Sequence, residues 1–287
     1  MSSGNAISDY LVVCSVDGTL LEAGYGIPRS NIDAIEQFLN RGGRFTFCTG
    51  RNSESVSKFI EWAPVSDPAV LCNGSFIFDF NRGKALYSQP LKETITDVVA
   101  EVMDLFPHIG VEITVEPSVF VVRMNEQLQQ RTSIQHLSYV LCALDDVRGN
   151  WNKVVFTGSS EDLAPLEQYL QSKYKEGIQF SDFQYLRHDA ESLEIISRGV
   201  HKGTGLRMLC DFLSIPKDRV IAVGSSFSDI EMFSASGIRI CVGNAPAELR
   251  YKMDLTVSSC LRGGMADVLN RFDDIVGNYK QLTLDTL

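Results

Sequence analysis

Three short apolar runs, Tyr10–Ser15, Arg44–Cys48 and Ala69–Cys72, each stop at a turn of small or polar residues: Val16-Asp17-Gly18-Thr19, Thr49-Gly50-Arg51 and Asn73-Gly74. A run this short, without polar alternation, suits a strand buried on both faces. Between the first two runs, Asn31–Arg41 places Ile32, Ile35, Phe38 and Leu39 at helical spacing, and Gly42-Gly43 ends that helix. Ser53–Trp62 reads as a second helix. Strand, helix, strand, helix, strand with short links predicts a parallel sheet covered on both faces.

The last third repeats the style. His201–Leu213 reads as a helix, Arg219–Val223 as a strand, Asp229–Ala235 as a helix and Ile238–Val242 as a strand, with Gly243-Asn244-Ala245-Pro246 turning into a short final helix. The middle differs. Ser75–Asp79 and Lys84–Ser88 form a predicted hairpin around Asn81-Arg82-Gly83, followed by a helix over Ile95–Phe106. Alternating segments at Val111–Val115 and Val119–Met124, a helix over Glu126–Leu144, a strand over Trp151–Thr157, a helix over Glu161–Tyr174 and strands over Gln179–His188 and Ser192–Ile196 complete it. The expected fold class is therefore α/β. A discontinuous Rossmann-like core, residues 1–86 and 189–287, carries an inserted α+β unit over 87–188.

The 287 residues suffice for one large or two modest domains. A formal net charge of −10 argues against a nucleic-acid or anionic-membrane surface, which needs clustered Lys and Arg; a pocket for a small anion stays open. No apolar run reaches the roughly 18 residues a membrane span requires. MSSGNAISDY has neither a basic start nor an apolar stretch, so no secretory signal is expected there. The seven cysteines show no metal-ligand spacing, and Cys14, Cys48, Cys72 and Cys241 sit in or at the ends of apolar runs. They are expected to be small buried hydrophobes in a reducing cytoplasm.

Ligands of an open parallel sheet bind beyond the carboxyl ends of its strands. Four segments fall at such ends: Ser15–Thr19, Thr49–Arg51, Lys202 ahead of its helix, and Gly224–Asp229. Each alone is a common turn or a solvated lysine; their order on these elements is informative. VCSVDGTLLE, FCTGR, GVHKGTGL and VGSSFSDIEMF resemble, in that order, the four motifs of the haloacid dehalogenase superfamily, Cof type. CNGS, CVGNAPAELR and LRGGMADVL add lesser matches, so the resemblance covers essentially the whole chain.

That resemblance implies descent from Mg²⁺-dependent phosphatases, many acting on sugar phosphates, with the inserted unit as a cap over the site. In such enzymes an aspartate attacks phosphorus to form an aspartyl-phosphate, and a second aspartate two residues on serves as acid and base. Thr and Lys bind the phosphoryl oxygens. The metal is held by the nucleophile, the second aspartate's backbone carbonyl and a fourth-motif aspartate.

Carried onto this chain, Asp17 matches the acid/base, Thr49 and Lys202 the phosphate-binding hydroxyl and amine, Gly18 the turn whose amides face the phosphate, and Asp229 the second fourth-motif carboxylate. Gly50 and Asn73 join the expected phosphate-binding set. The departures are as specific. Ser15 stands at the nucleophile, Ser225 at the first fourth-motif aspartate, and Ser228 where many members have asparagine. The metal set implied by resemblance becomes Asp17, Asp229, Ser15 and Ser225, a weakened site for Mg²⁺ because neutral hydroxyls replace charged oxygens.

A serine at position 15 lacks an evident base, and a phosphoserine lacks the lability of an acyl phosphate. The substitutions therefore favour a catalytically impaired family member, a pseudophosphatase that binds a phosphorylated small molecule or a protein partner. The alternative is a Mg²⁺-dependent sugar-phosphate hydrolase, seen as an inactivated variant or working through altered chemistry. The inserted unit is expected to select the ligand, with Phe120, Arg123 and Lys153 as possible contributors. His188 and His201 show no partner pattern and read as incidental.

Overall fold

The computed structural model describes residues 7–22, 24–174, 182–187 and 191–284. Within them the chain divides into two compact units. One comprises Met1–Gly50, Phe59–Leu86 and His201–Leu287, the other Arg51–Lys58 and Tyr87–Val200. The expected junction at residues 188 and 189 lies outside the described residues, as does His188. Strand Ser192–Ser197 pairs wholly within the second unit, so that unit extends to Val200.

The first unit is built on five parallel strands: β1 (Leu11–Cys14), β2 (Arg44–Phe47), β3 (Val220–Gly224), β4 (Ile238–Val242) and β5 (Leu255–Val257). Their spatial order is β5-β4-β3-β1-β2. Register runs Leu11 opposite Val220 on one side of β1 and Leu11 opposite Arg44 on the other. All four residues of β1 and all five of β3 are buried, as strands covered on both faces must be. The helix Arg29–Asn40 contributes Ala34, Ile35 and Phe38 to this core, and Lys202–Leu213 contributes Leu206 and Leu209. Because the chain leaves β1 toward β2 and returns later to β3 on the opposite side, the strand order reverses between β1 and β3. The carboxyl ends flanking that reversal are Ser15 and Ser225, where an open α/β sheet forms a crevice.

The third apolar run departs from expectation. Ala69–Leu71 does not continue the five-stranded sheet; it joins a three-stranded sheet with Phe76–Asp79 and Lys84–Ser88, antiparallel to the first of these. A single parallel bridge, Cys48 to Val70, ties it to the end of β2. The helix expected over Ser53–Trp62 covers only Ser53–Ser57, capped by the Asn52 side chain, which accepts from the Ser55 amide.

The second unit is α+β. Its six-stranded sheet runs Phe183–Arg187, Ser192–Ser197, Lys153–Thr157, Gly110–Val115, Ser118–Arg123, Val140–Leu141. Directly paired residues share a face, so the registers separate two surfaces. One carries Val111, Ile113, Val154, Phe156, Leu193 and Ile195, which pack with Val98, Val99 and Val102 of helix Ile95–Leu105 and Leu163, Leu166 and Leu170 of helix Ser160–Lys173. The other carries buried polar groups: Glu112, Thr114, Lys153, Thr157, Ser192 and Glu194. The long helix expected over Glu126–Leu144 ends at Ile134. His136 adopts φ +49°, and Val140–Leu141 becomes a two-residue edge strand paired with Phe120 and Val121. Pairing with Phe120 and Val121 satisfies their backbone, while both side chains stay exposed.

Candidate functional site

β1 delivers Ser15 directly to its carboxyl end, where the Ser15 amide donates to the Val223 carbonyl of β3 at 2.9 Å. The chain then turns tightly. Gly18 adopts φ +71°, the left-handed region that a side chain disfavours, and a Cβ there would come 3.0 Å from Ser225 Oγ. Glycine thus lets this turn lie against the end of β3. The turn is pinned from a third strand end: Asn244 Nδ2 donates to the Gly18 carbonyl at 2.8 Å, and Asn244 Oδ1 accepts from the Cys260 amide at 2.8 Å.

At the end of β2, the Thr49 amide donates to Val70 and the Thr49 carbonyl accepts from the Asn73 amide at 3.0 Å. Thr49 and Asn73 are both buried. Gly50 has no side chain to keep Asn73 away, and a Cβ on it would reach within 3.0 Å of Asn73 Oδ1. Arg51, the last residue of the FCTGR segment, donates through Nη1 to Ser55 Oγ at 3.2 Å.

Lys202 opens the helix Lys202–Leu213 behind a reciprocal cap, with His201 Nδ1 accepting from the Thr204 amide and Thr204 Oγ1 accepting from the His201 amide. The cap fixes where the lysine starts, and its ammonium is buried. Lys202 Nζ donates to Asp229 Oδ1 at 2.7 Å and to Ser15 Oγ at 3.1 Å. Asp229 is fully buried, and its other oxygen accepts from the amides of Ser225 at 2.9 Å and Ser226 at 3.1 Å. Both carboxylate oxygens are thereby occupied.

Burial by itself would drive the proton off Lys202, but the Asp229 carboxylate outweighs it and holds the ammonium above its ordinary range. For Asp229, burial pushes the carboxyl up, and Lys202 with the two amides more than reverses this, leaving it below the usual carboxylate range. The result is a buried, hydrogen-bonded ion pair in which both partners stay charged. Neighbouring thiols remain protonated: burial raises Cys14 well above its ordinary value and pushes Cys48 up to about 12.

The structure thus brings Ser15, Lys202, Asp229 and Ser225 together, with Gly18 against Ser225 and Asp17 joined through its backbone. Ser225 Oγ donates to the Asp17 carbonyl at 3.2 Å. The Asp17 side chain is exposed. Thr49 and Asn73 form a second hydrogen-bonded group with Gly50 packed against Asn73, and beside them Cys48 Sγ contacts the Lys202 carbonyl at 3.6 Å. Ser228 Oγ lies 2.7 Å from Ser226 Oγ. Asn244 reads from the sequence first as a turn former and second as a residue that could line the site, and here it clamps the Gly18 turn; Ser226, whose amide helps bind Asp229, is the contributor that sequence reasoning missed. In the second unit, Phe120 packs against the apolar core, Arg123 donates to the Phe106 carbonyl, and Lys153 pairs with Glu194 at 3.4 Å.

The donor chemistry does not fit Mg²⁺. That ion favours an octahedron of oxygens with carboxylates among them and gives up its water reluctantly. Ser15 and Ser225 offer neutral hydroxyls, the Asp17 carbonyl already accepts from Ser225, and neither oxygen of Asp229 is unengaged. Among the described residues no three His, Cys, Asp or Glu side chains gather to hold a metal ion. Nor is any described helix long and apolar enough to cross a membrane.

Comparison with known proteins agrees with the order of strand-end segments. A family model described as haloacid dehalogenase-like hydrolase matches residues 12–269. A 5-amino-6-(5-phospho-D-ribitylamino)uracil phosphatase of Bacillus subtilis is 24% identical over 270 residues, covering 92% of this chain and 97% of its own. A pyridoxal phosphate phosphatase of Escherichia coli is 22% identical over 258 residues, covering 86% and 92%. A solved haloacid dehalogenase-like hydrolase from Bacteroides thetaiotaomicron superposes with a TM-score of 0.83 at 18% identity, over 92% of this chain and 99% of that one. With a parallel sheet whose strand ends carry these motifs, and a family match spanning both units, the chain belongs to the haloacid dehalogenase-like hydrolase family.

Proposed function

We propose that this chain is a phosphatase-family protein that binds a phosphorylated small molecule and is impaired in hydrolysing it. One observation carries the reading: the position from which the family's carboxylate attacks phosphorus is held by Ser15, whose hydroxyl accepts from the Lys202 ammonium. That hydroxyl cannot give its proton to Lys202, which Asp229 keeps as an ammonium. Even if a phosphoryl group reached it, the ester would persist where an acyl phosphate would turn over. In this reading Lys202, Thr49, the Gly18 turn, Gly50 and Asn73 hold the phosphate end of the ligand. Asp17 stands as an acid/base with no nucleophile to serve.

Phosphatases of this superfamily generally use Mg²⁺. The relatives named above are phosphatases of phosphorylated small molecules, which supports the same ligand class here. Losing the nucleophile alone removes on the order of 5 kcal/mol or more of transition-state stabilisation, several decades in rate. The test is a panel of phosphomonoesters, with sugar phosphates and pyridoxal phosphate included, followed for phosphate release with and without Mg²⁺ and for binding by calorimetry. Saturable binding without turnover is expected. Metal-dependent turnover at roughly 1 s⁻¹ or faster would overturn the impairment and restore a sugar-phosphate hydrolase of altered chemistry.

A further inference from the structure

Three oxygens correspond to the metal-holding positions implied by the family motifs: the side chain at 15, the backbone carbonyl of Asp17 and the side chain at 225. In this chain each is engaged by a proton donor of the protein itself or is one. Ser15 Oγ accepts from Lys202 Nζ at 3.1 Å, the Asp17 carbonyl accepts from Ser225 Oγ at 3.2 Å, and Ser225 is the donor of that bond. All of these groups lie within one unit.

We infer that this hydrogen-bonded network occupies the cation's place, so that the site takes up a phosphate dianion without any divalent cation. The inference rests on the reading that the pocket binds phosphorylated ligands.

Charge accounting supports it. With carboxylates at 15 and 225, the crevice would gather four acidic side chains, those of Asp17 and Asp229 included, around one lysine, and an incoming dianion would need a cation to offset them. With serines there, Asp229 is neutralised in place by Lys202 and two backbone amides, and positions 15 and 225 add no negative charge. Mg²⁺ has correspondingly little to gain. It would displace the Ser225 hydroxyl from the Asp17 carbonyl and find only neutral oxygens at 15 and 225. Without a cation, a carboxylate at 225 would set its charge against the Asp17 carbonyl, the atom to which the hydroxyl now donates.

The experiment titrates the full chain with inorganic phosphate by calorimetry, once in EDTA and once in excess MgCl₂, alongside thermal denaturation in both buffers. The phosphate affinity is expected to agree within about threefold between buffers, and Mg²⁺ alone to leave the melting temperature unmoved within about 1 °C. In the double variant S15D/S225D, phosphate binding in EDTA should fall at least about tenfold and return on adding Mg²⁺, with a metal-dependent rise in melting temperature. If that double variant does not fold, S225D serves for the same comparison. Phosphate binding by the native chain that appears only with Mg²⁺ would overturn the inference while keeping the ligand class. So would a variant whose phosphate binding stays indifferent to the metal. No phosphate binding in either buffer would overturn the ligand class itself, and the inference with it.

Discussion

The ammonium of Lys202 and the carboxylate of Asp229 meet at 2.7 Å with side chains only 7% and 0% exposed. Neither charge has water to fall back on, so the pair is worth little as a sum and much as a dependency. Replacing Asp229 by Asn strands a buried ammonium and should cost on the order of 3–5 kcal/mol in unfolding free energy. Adding Lys202→Met to the same chain should recover much of that loss, because no uncompensated charge remains. Chemical denaturation of the two single variants and the double would show this; additive losses would contradict the coupling.

Gly18 is expected to tolerate no side chain cheaply. Gly18→Ala must hold a Cβ at φ +71° and 3.0 Å from Ser225 Oγ, and should lose about 1–2 kcal/mol. Combining it with Ser225→Ala removes the crowding and leaves the backbone cost. If Gly18→Ala melts with the native chain, the turn has an alternative geometry.

Thr19 points the other way. It is completely buried, and its Oγ1 is a buried hydroxyl without a hydrogen-bond partner among the described residues. Thr19→Val keeps the shape and deletes the unsatisfied group, which should raise stability by about 1 kcal/mol. A loss of similar size would show that the hydroxyl is hydrogen-bonded in solution, for instance to water.

His201 makes stability depend on pH. Burial is the main cause, and Arg207 adds to it, while Glu231 opposes; together they hold its folded-state pKa below the ordinary 6.5. The unfolded chain therefore binds the proton first as pH falls, and stability contributed by the neutral ring declines from about pH 6.5 downward. Protonation also removes the Nδ1 lone pair that accepts from the Thr204 amide at 3.2 Å. His201→Asn keeps a capping acceptor without the titration, so its melting temperature should fall less between pH 7 and pH 5.5 than that of the native chain. Equal declines would place the pH dependence elsewhere.

The parallel core was readable because its strands are short, wholly apolar and punctuated by turns, so β1 to β4 and the segments at their ends followed from local pattern. What failed needed distant information. Ala69–Leu71 carries nothing in its three apolar residues to say which sheet it joins. Val140–Leu141 looked like the tail of a helix because its alternative partner, the strand at Phe120–Val121, is local in space but not in pattern. In the site, residue types at 15, 17, 202, 225 and 229 were legible as a constellation. The bond from Ser225 to the Asp17 carbonyl was not, since 208 residues separate the two and neither residue type announces a tertiary partner. Asn244 shows the same limit: an asparagine in a turn gives no sign that it clamps another turn 226 residues away.

The pairing of β1 with β3 sets when this protein becomes competent. Leu11 lies opposite Val220, so the two halves of the crevice come from opposite ends of synthesis. Closing so long a loop is slow and entropically costly, and it precedes any reward from the contacts it makes. A nascent chain that has released its first two strands holds Ser15 and Thr49 with no Lys202 to face them. The proposed phosphate binding therefore requires a chain that already carries Lys202, β3 and Asn244, and a ligand added during refolding should report their docking onto β1 rather than the first collapse.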